Sequence, residues 1–194
     1  MAYDILFTWC IQIKVKVGLI IITFRDALPD ESDKLTQLSL DSKAYWGYPR
    51  EWIALWTEEL TISPDYIMKN MVVVAEEKTE ILGYISIIEE IFQDTVRIGE
   101  HNISHGFFLD NMFILPSHIK KGIGKKLFEI AIHWCRKRQI RKLYIDSDPN
   151  AKKFYEKMGA VYIGEIESNK IVGRTRPILI LIIEGDSGST EPLP

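Results

Sequence analysis

The sequence predicts a mixed α/β fold in one domain, with helices over a central sheet. Three observations predict it. Apolar runs of strand character alternate with stretches of helical spacing, in the order strand, helices, three strands, helix, strand, helix, two strands. The 194 residues are 46% apolar, enough for a single sizeable core. No repeat, linker or break in composition divides the chain.

The elements run in order along the chain. Ile11, Ile13, Val15 and Val17 alternate with Gln12, Lys14 and Lys16, the two-residue period of a half-buried strand. Residues 1–17 therefore read as an added strand or as an upstream extension. The apolar run from Ile5 to Ile13 is about half the roughly 20 residues a membrane span needs, and no basic residue precedes it as in a signal peptide. The domain proper covers 18–184. Gly18 to Phe24 reads as a buried strand, and Asp30 to Ser32 open a helix that runs to about Ala44. Tyr45 to Pro49 break it, and helical spacing resumes from Glu51 to Leu60. Met71–Glu76 and Ile81–Ile91 form a hairpin about the polar turn at 77–80. Residues 92–105 carry no clear period and read as a loop or ragged edge. Phe107–Leu115 is a strand, Gly122–Arg138 a helix, Leu143–Asp146 a strand and Pro149–Met158 a short helix. Closing strands fall near Ala160–Glu165 and Pro177–Glu184, and 185–194 is a Gly, Ser and Pro rich tail expected to be flexible.

Charge narrows the function classes. Lys+Arg 24 against Asp+Glu 27 leaves a net −3, which predicts no bulk attraction to nucleic acid or to an anionic membrane. Cys10 and Cys135 lie far apart and form no C-x-x-C pair, which fits a reducing, cytoplasmic setting. His101 and His105 have no further His or Cys to complete a zinc set, so no metal is expected. The basic residues 136–138, 141 and 142 gather at the end of the long helix, where cations offset its dipole.

Chemistry concentrates at Asp110–Lys126. A strand ends at Leu115-Pro116, a basic turn follows, and Gly122-Ile123-Gly124 opens a helix whose Ile123, Leu127, Ile130, Ala131 and Trp134 form an apolar stripe. Glycines at a helix start let a ligand approach the backbone, and the free N–H groups there attract an anion such as a diphosphate. Lys120, Lys121, Lys125 and Lys126 add positive charge around the same turn. A P-loop is ruled out because Ile119 and Lys126 occupy its first glycine and its Ser/Thr position. A dinucleotide fingerprint is ruled out because Leu127 stands at its third glycine.

The strand, Pro116, basic turn and G-x-G helix start, followed by Asn150-Ala151-x-x-Phe154-Tyr155-Glu156-Lys157-Met158-Gly159-Ala160, resemble the GNAT superfamily of acetyl-CoA-dependent N-acyltransferases over roughly residues 19–183. Ser42 to Tyr48 and Gly173-Arg174-x-x-Pro177 are similar to a bacterial subgroup of largely undefined substrate. The resemblance implies a mostly antiparallel sheet with one splayed parallel strand pair, helices on both faces, acetyl-CoA as co-substrate, and commonly a homodimer. It implies that main-chain groups of Met112, Phe113 and Ile114 pair with pantetheine, that the N–H groups of Lys120, Lys121, Gly122, Ile123, Gly124 and Lys125 hold the pyrophosphate, and that Phe154 borders the cofactor. Many relatives carry glycine at the position of Lys120 and Gln or Arg at that of Ile119, so side-chain phosphate contact at 119 is lost here. Relatives often carry Asn at the position of Asp148, which transfers the amide contact to Asn150.

A lysine-like amine is less than about 0.1% neutral at pH 7, so transfer needs a base. Glu89, Glu90 and Asp110 are candidates, with a water relay as the alternative, and strand alternation lets only one of the two glutamates face the site. The resemblance gives Tyr155 as proton donor to the departing thiolate, and a main-chain N–H beside Phe113 or Ile114 meets the oxyanion. Tyr45, Trp46, Tyr48 and Arg174 are candidates for the pocket of a small-molecule or peptide amine, Arg174 as a bidentate anion partner. The alternative to an N-acetyltransferase is an acyl-CoA-binding sensor or scaffold without turnover.

Overall fold

The computed structural model describes residues 12–17 and 20–185. Among the described residues, eight strands form one sheet in the order β1-β2-β3-β4-β5-β6-β8-β7. These are β1 (Gln12–Val17), β2 (Ile20–Asp26), β3 (Met71–Glu77), β4 (Glu80–Ile98), β5 (His101–Ile114), β6 (Lys142–Asp146), β7 (Val161–Glu167) and β8 (Thr175–Ile182). The helices are α1 (Ser32–Tyr45), α2 (Arg50–Leu60), α3 (Pro64–Lys69), α4 (Ile123–Lys137) and α5 (Lys152–Lys157). Gln12–Val17 pairs antiparallel with β2, while residues 1–11 and the tail from 186 on lie outside the described residues.

Strand alternation divides the core between two faces. Met71, Val73 and Ala75 of β3 pack with Leu127, Phe128 and Ala131 of α4. Val72 and Val74, pointing the other way, pack with Leu35 and Leu38 of α1 and Ile67 of α3. Helices thus cover both faces. The α4 stripe read from the sequence is the buried one, with Leu127, Phe128, Ala131 and Cys135 fully enclosed.

The structure departs from the sequence reading at two places that shape the site. Residues 92–105 belong to strands: β4 runs to Ile98 and β5 begins at His101, with a register break between Ile91 and Val96. That break hides the two-residue period from the sequence. The hairpin tip reaches back to β7, where a Cβ on Gly99 would stand 2.3 Å from the Ile163 carbonyl oxygen and one on Gly164 3.0 Å from Ile98. Only glycines allow that approach. The second departure is α3, whose start is capped by Ser63, its hydroxyl accepting the Tyr66 N–H at 3.0 Å, with Pro64 in the first turn.

Candidate active site

The site forms where β5 and β6 part. They pair in parallel only through Phe107–Leu143, Phe108–Tyr144 and Leu109–Ile145. At the same point the β4–β5 register jumps: Ser86 faces Asn111 and Ile87 faces Leu109, so Asp110 is the extra residue of a β-bulge. The bulge turns the rest of β5 away from β6 and aims Asp110 into the gap. Beyond it, the Leu115 N–H bonds to Leu82 O at 2.8 Å. Antiparallel alternation then puts the main-chain groups of Phe113 in the ladder with Tyr84, and turns those of Met112 and Ile114 to the open edge. Of the three residues expected to offer main-chain groups there, Phe113 is corrected on this ground. Its ring tilts against Tyr84 at 6.0 Å. The Ile114 carbonyl already accepts the Ser42 hydroxyl of α1 at 2.8 Å, which leaves its N–H available.

The gap leads to the start of α4. Gly124 faces Met112, Ile114 and Phe154, each 3.7–3.9 Å from where its Cβ would be, so the expected cofactor residues of β5, α4 and α5 do converge. The first intrahelical amide is that of Lys126, bonded to Gly122 O at 3.1 Å. The amides of Ile123, Gly124 and Lys125 have no acceptor within the helix. Lys120 (φ 66) and Gly122 (φ 86) are both left-handed, with Lys121 between them. Such an alternation curls successive N–H groups into an anion-binding concavity, and Lys120, Lys121 and Lys125 are exposed around it. The arrangement fits a diphosphate.

On the α1–α2 side, the gap opens into a cavity of about 300 Å³. Asp110, Met112, Phe113, Asp148, Tyr155 and Arg174 are among the residues lining it. Tyr155 is otherwise buried, its ring against Phe128 and Phe154, and burial together with nearby Asp148 pushes its hydroxyl well above the usual phenol range. It therefore stays protonated. Asp110 opens onto the cavity within crowded walls. Desolvation raises its pKa, the Tyr66 hydroxyl bond works against this, and the charges of Glu90 and Asp146 add to the rise.

Asp148 organises the opposite wall. It accepts from Lys43 Nζ at 2.7 Å, from the Tyr48 hydroxyl at 2.8 Å and from the Asn150 N–H at 2.9 Å, and Arg174 lies 3.5 Å away. The Arg174 guanidinium also sits over the rings of Trp56 (4.7 Å) and Tyr48 (5.6 Å). Burial opposes the charge of Asp148, yet Lys43 and these bonds hold its pKa below the usual carboxylate range. Asn150 spends its side-chain N–H on the Tyr48 hydroxyl at 3.0 Å.

Glu89 is not brought to the site. Its carboxylate lies 2.7 Å from His105 Nε2, half exposed, on the strand face opposite Glu90. Tyr45 and Trp46 stand edge to face at 5.4 Å, exposed at 55% and 44%, and are not among the residues lining the cavity. Tyr48 contributes through Asp148. The sequence reading missed Tyr66, Ser86 and Lys43; the Ser63-Pro64 helix start was the available signal for Tyr66.

Residues 34–160 match the acetyltransferase (GNAT) family. The chain belongs to that family. It is an acyltransferase by class, as the sequence resemblance implied. Peptidyl-lysine N-acetyltransferase YiaC of Escherichia coli (strain K12) is 27% identical over 136 residues, 70% of this chain and 80% of YiaC. Among solved GNAT folds, the PaiA N-acetyltransferase of Thermoplasma acidophilum, in complex with coenzyme A, has a TM-score of 0.60 at 17% identity, covering 83% of this chain and 98% of its own. A GNAT acetyltransferase of Brucella melitensis, in complex with acetyl-CoA, has a TM-score of 0.54 at 18% identity, covering 85% and 90%. These likenesses show the GNAT architecture of this chain: a mixed sheet with one parallel pair. Among the described residues, no helix is long and apolar enough to cross a membrane.

Proposed function

We propose that the protein transfers an acetyl group from acetyl-CoA to a primary amine of a small molecule or peptide by direct attack. The observation that carries this reading is the bulge at Asp110, which sets a carboxylate of raised pKa in the same cavity as the protonated Tyr155, beside the diverging edge of β5. The residues fit acetyl-CoA in three places. The concavity at 120–125 suits the pyrophosphate, the open edge at Met112 and Ile114 suits the pantetheine amides, and Phe154 borders the passage between them.

In this reading Asp110 takes a proton from the bound ammonium. The freed nitrogen forms its bond to the thioester carbon while a main-chain N–H of Met112 or Ile114 faces the charge building on the oxygen. The carbon–sulfur bond breaks, Tyr155 gives its proton to the departing thiolate, and the nitrogen's second proton leaves through water to restore Tyr155 as the amide forms. A carboxylate of elevated pKa suits the base, since catalysis is most efficient when donor and acceptor pKa values lie nearer the working pH. Thiol release from acetyl-CoA, measured across a panel of primary amines with the wild type and the Asp110→Asn and Tyr155→Phe variants, tests the assignment. CoA-dependent thermal stabilisation without thiol release from any amine would leave an acyl-CoA-binding module instead.

A further inference from the structure

A second cavity of about 410 Å³ lies against the first on the same face of the sheet. The two share Leu109, Asp110, Asp146 and Arg176. The walls of the second are mainly apolar, among them Phe92 and Val96 of β4, Ile103 and Phe108 of β5, Ile166 of β7 and Ile178 of β8. It exists because the β4–β5 hairpin, extended past Ile91, closes its tip onto β7 at Gly99 and Gly164. Among the described residues, no helix contributes to the cluster behind it; the chamber lies between the curled hairpin and the β6–β8–β7 half.

Its polar groups gather where it meets the first cavity. Asp110, Glu90 and Asp146 line that end, and the Arg176 Nε bonds both oxygens of Asp146 at 2.9 and 3.1 Å. Arg176 thus satisfies one of the three carboxylates, and the others remain complementary to a cation. We infer that this chamber holds the body of the acceptor, and that the acceptor is a primary ammonium carrying an aryl or branched-alkyl group of one or two rings on a short linker. The ammonium meets Asp110 at the junction, and the apolar body fills the chamber behind it.

The inference rests on the acetyltransferase reading and narrows it. A polyamine could set one further charge against Glu90 at the junction, but any charge carried deeper, among Phe92, Val96, Ile103, Phe108, Ile166 and Ile178, would be stripped of water with no partner in return. A peptidyl-lysine acceptor reaching Asp110 through the first cavity would leave the apolar chamber unfilled. An apolar body loses nothing there and gains by leaving water.

The experiment compares tryptamine and phenethylamine with spermidine and Nα-acetyl-lysine amide, following thiol release and, separately, calorimetric binding of each amine to the full chain in the presence of CoA. The expected result is a kcat/KM for the aryl amines about tenfold or more above the polar ones. Val96→Trp and Ile166→Trp, two partly buried positions on different strands, fill the chamber and raise the tryptamine KM about tenfold. The KM for acetyl-CoA and the CoA-induced thermal shift stay as in wild type, which shows that the variants fold. Preference for spermidine or the lysine amide, or filled chambers with unaltered tryptamine KM, overturns the inference and leaves the acetyltransferase reading standing. Tryptamine binding that the filling variants weaken, without thiol release from any amine, supports the chamber and overturns the transferase. Neither binding nor release overturns both.

Discussion

The Tyr66 hydroxyl donates to Asp110 Oδ2, and the same hydroxyl lies 2.7 Å from Ser86 Oγ. Asn111 Nδ2 donates to that carboxylate oxygen at 2.6 Å. A residue of α3, remote in sequence, therefore orients the carboxylate that the β5 bulge projects into the cavity. Burial and the charge on Asp110 push the Tyr66 hydroxyl far above the phenol range, so it remains a donor at every working pH.

With Asp110 as the proposed base, this pair is expected to set the pH dependence of turnover. Asp110 must be ionised to accept a proton, and its pKa lies above the ordinary carboxylate value. The acid limb of kcat/KM is expected at a pH above about 4, the usual range for such a group. Tyr66→Phe deletes the bond that opposes the rise, so the limb moves to still higher pH. Superimposable profiles for the two enzymes would remove Tyr66 from the positioning role.

Asp110→Asn separates stability from activity. Because the folded pKa is raised, folding favours the protonated carboxyl; that contribution is present below the unfolded pKa and lost as pH rises through the folded one. At neutral pH the amide variant is expected to melt no lower than wild type, and higher if its bonds to Tyr66 survive. Its turnover falls about a hundredfold or more. Melting curves and thiol-release rates at pH 7 check both halves.

Tyr155→Phe keeps the ring against Phe128 and Phe154 and removes only the hydroxyl. We expect kcat to drop about a hundredfold with CoA affinity intact. Wild-type turnover at saturating acetyl-CoA would dismiss Tyr155 as the acid.

Asp148→Asn leaves Lys43 and Arg174 without their carboxylate at a site where all three side chains are at most 15% exposed. The expected loss is about 3 kcal/mol of stability, read from urea midpoints at pH 7. Here the folded pKa is depressed, so the contribution is present above about pH 4 and lost as pH falls through the folded value. The difference between variant and wild type should shrink in that acid window.

Lys120→Gly should stabilise the loop before α4. Lysine at φ 66 carries a left-handed penalty of about 1 kcal/mol, which glycine avoids at some cost in chain entropy. A small rise in melting temperature and unchanged or tighter CoA binding are expected. Weaker CoA binding would mean that the Lys120 charge outweighs its backbone strain.

The helix start at Gly122-Ile123-Gly124, the α4 stripe and the Phe154-Tyr155 turn were legible in the sequence, because each depends on neighbours within a few residues. Periodicity, capping and left-handed turns are local, and so is the chemistry of an amide-lined helix end. Only the tertiary structure decided which carboxylate enters the site. Glu89 and Asp110 look alike in sequence, but one meets His105 on an outer face and the other is the unpaired residue of a bulge. Bulges, register breaks and the curl of the 92–105 hairpin arise from pairing between distant strands, and one slipped residue exchanges the two faces of a strand. The meeting of Lys43 with Asp148 and Arg174 has the same origin: Lys43 stands 105 positions from Asp148 and reaches it only when the sheet and α1 bring the two within bonding distance.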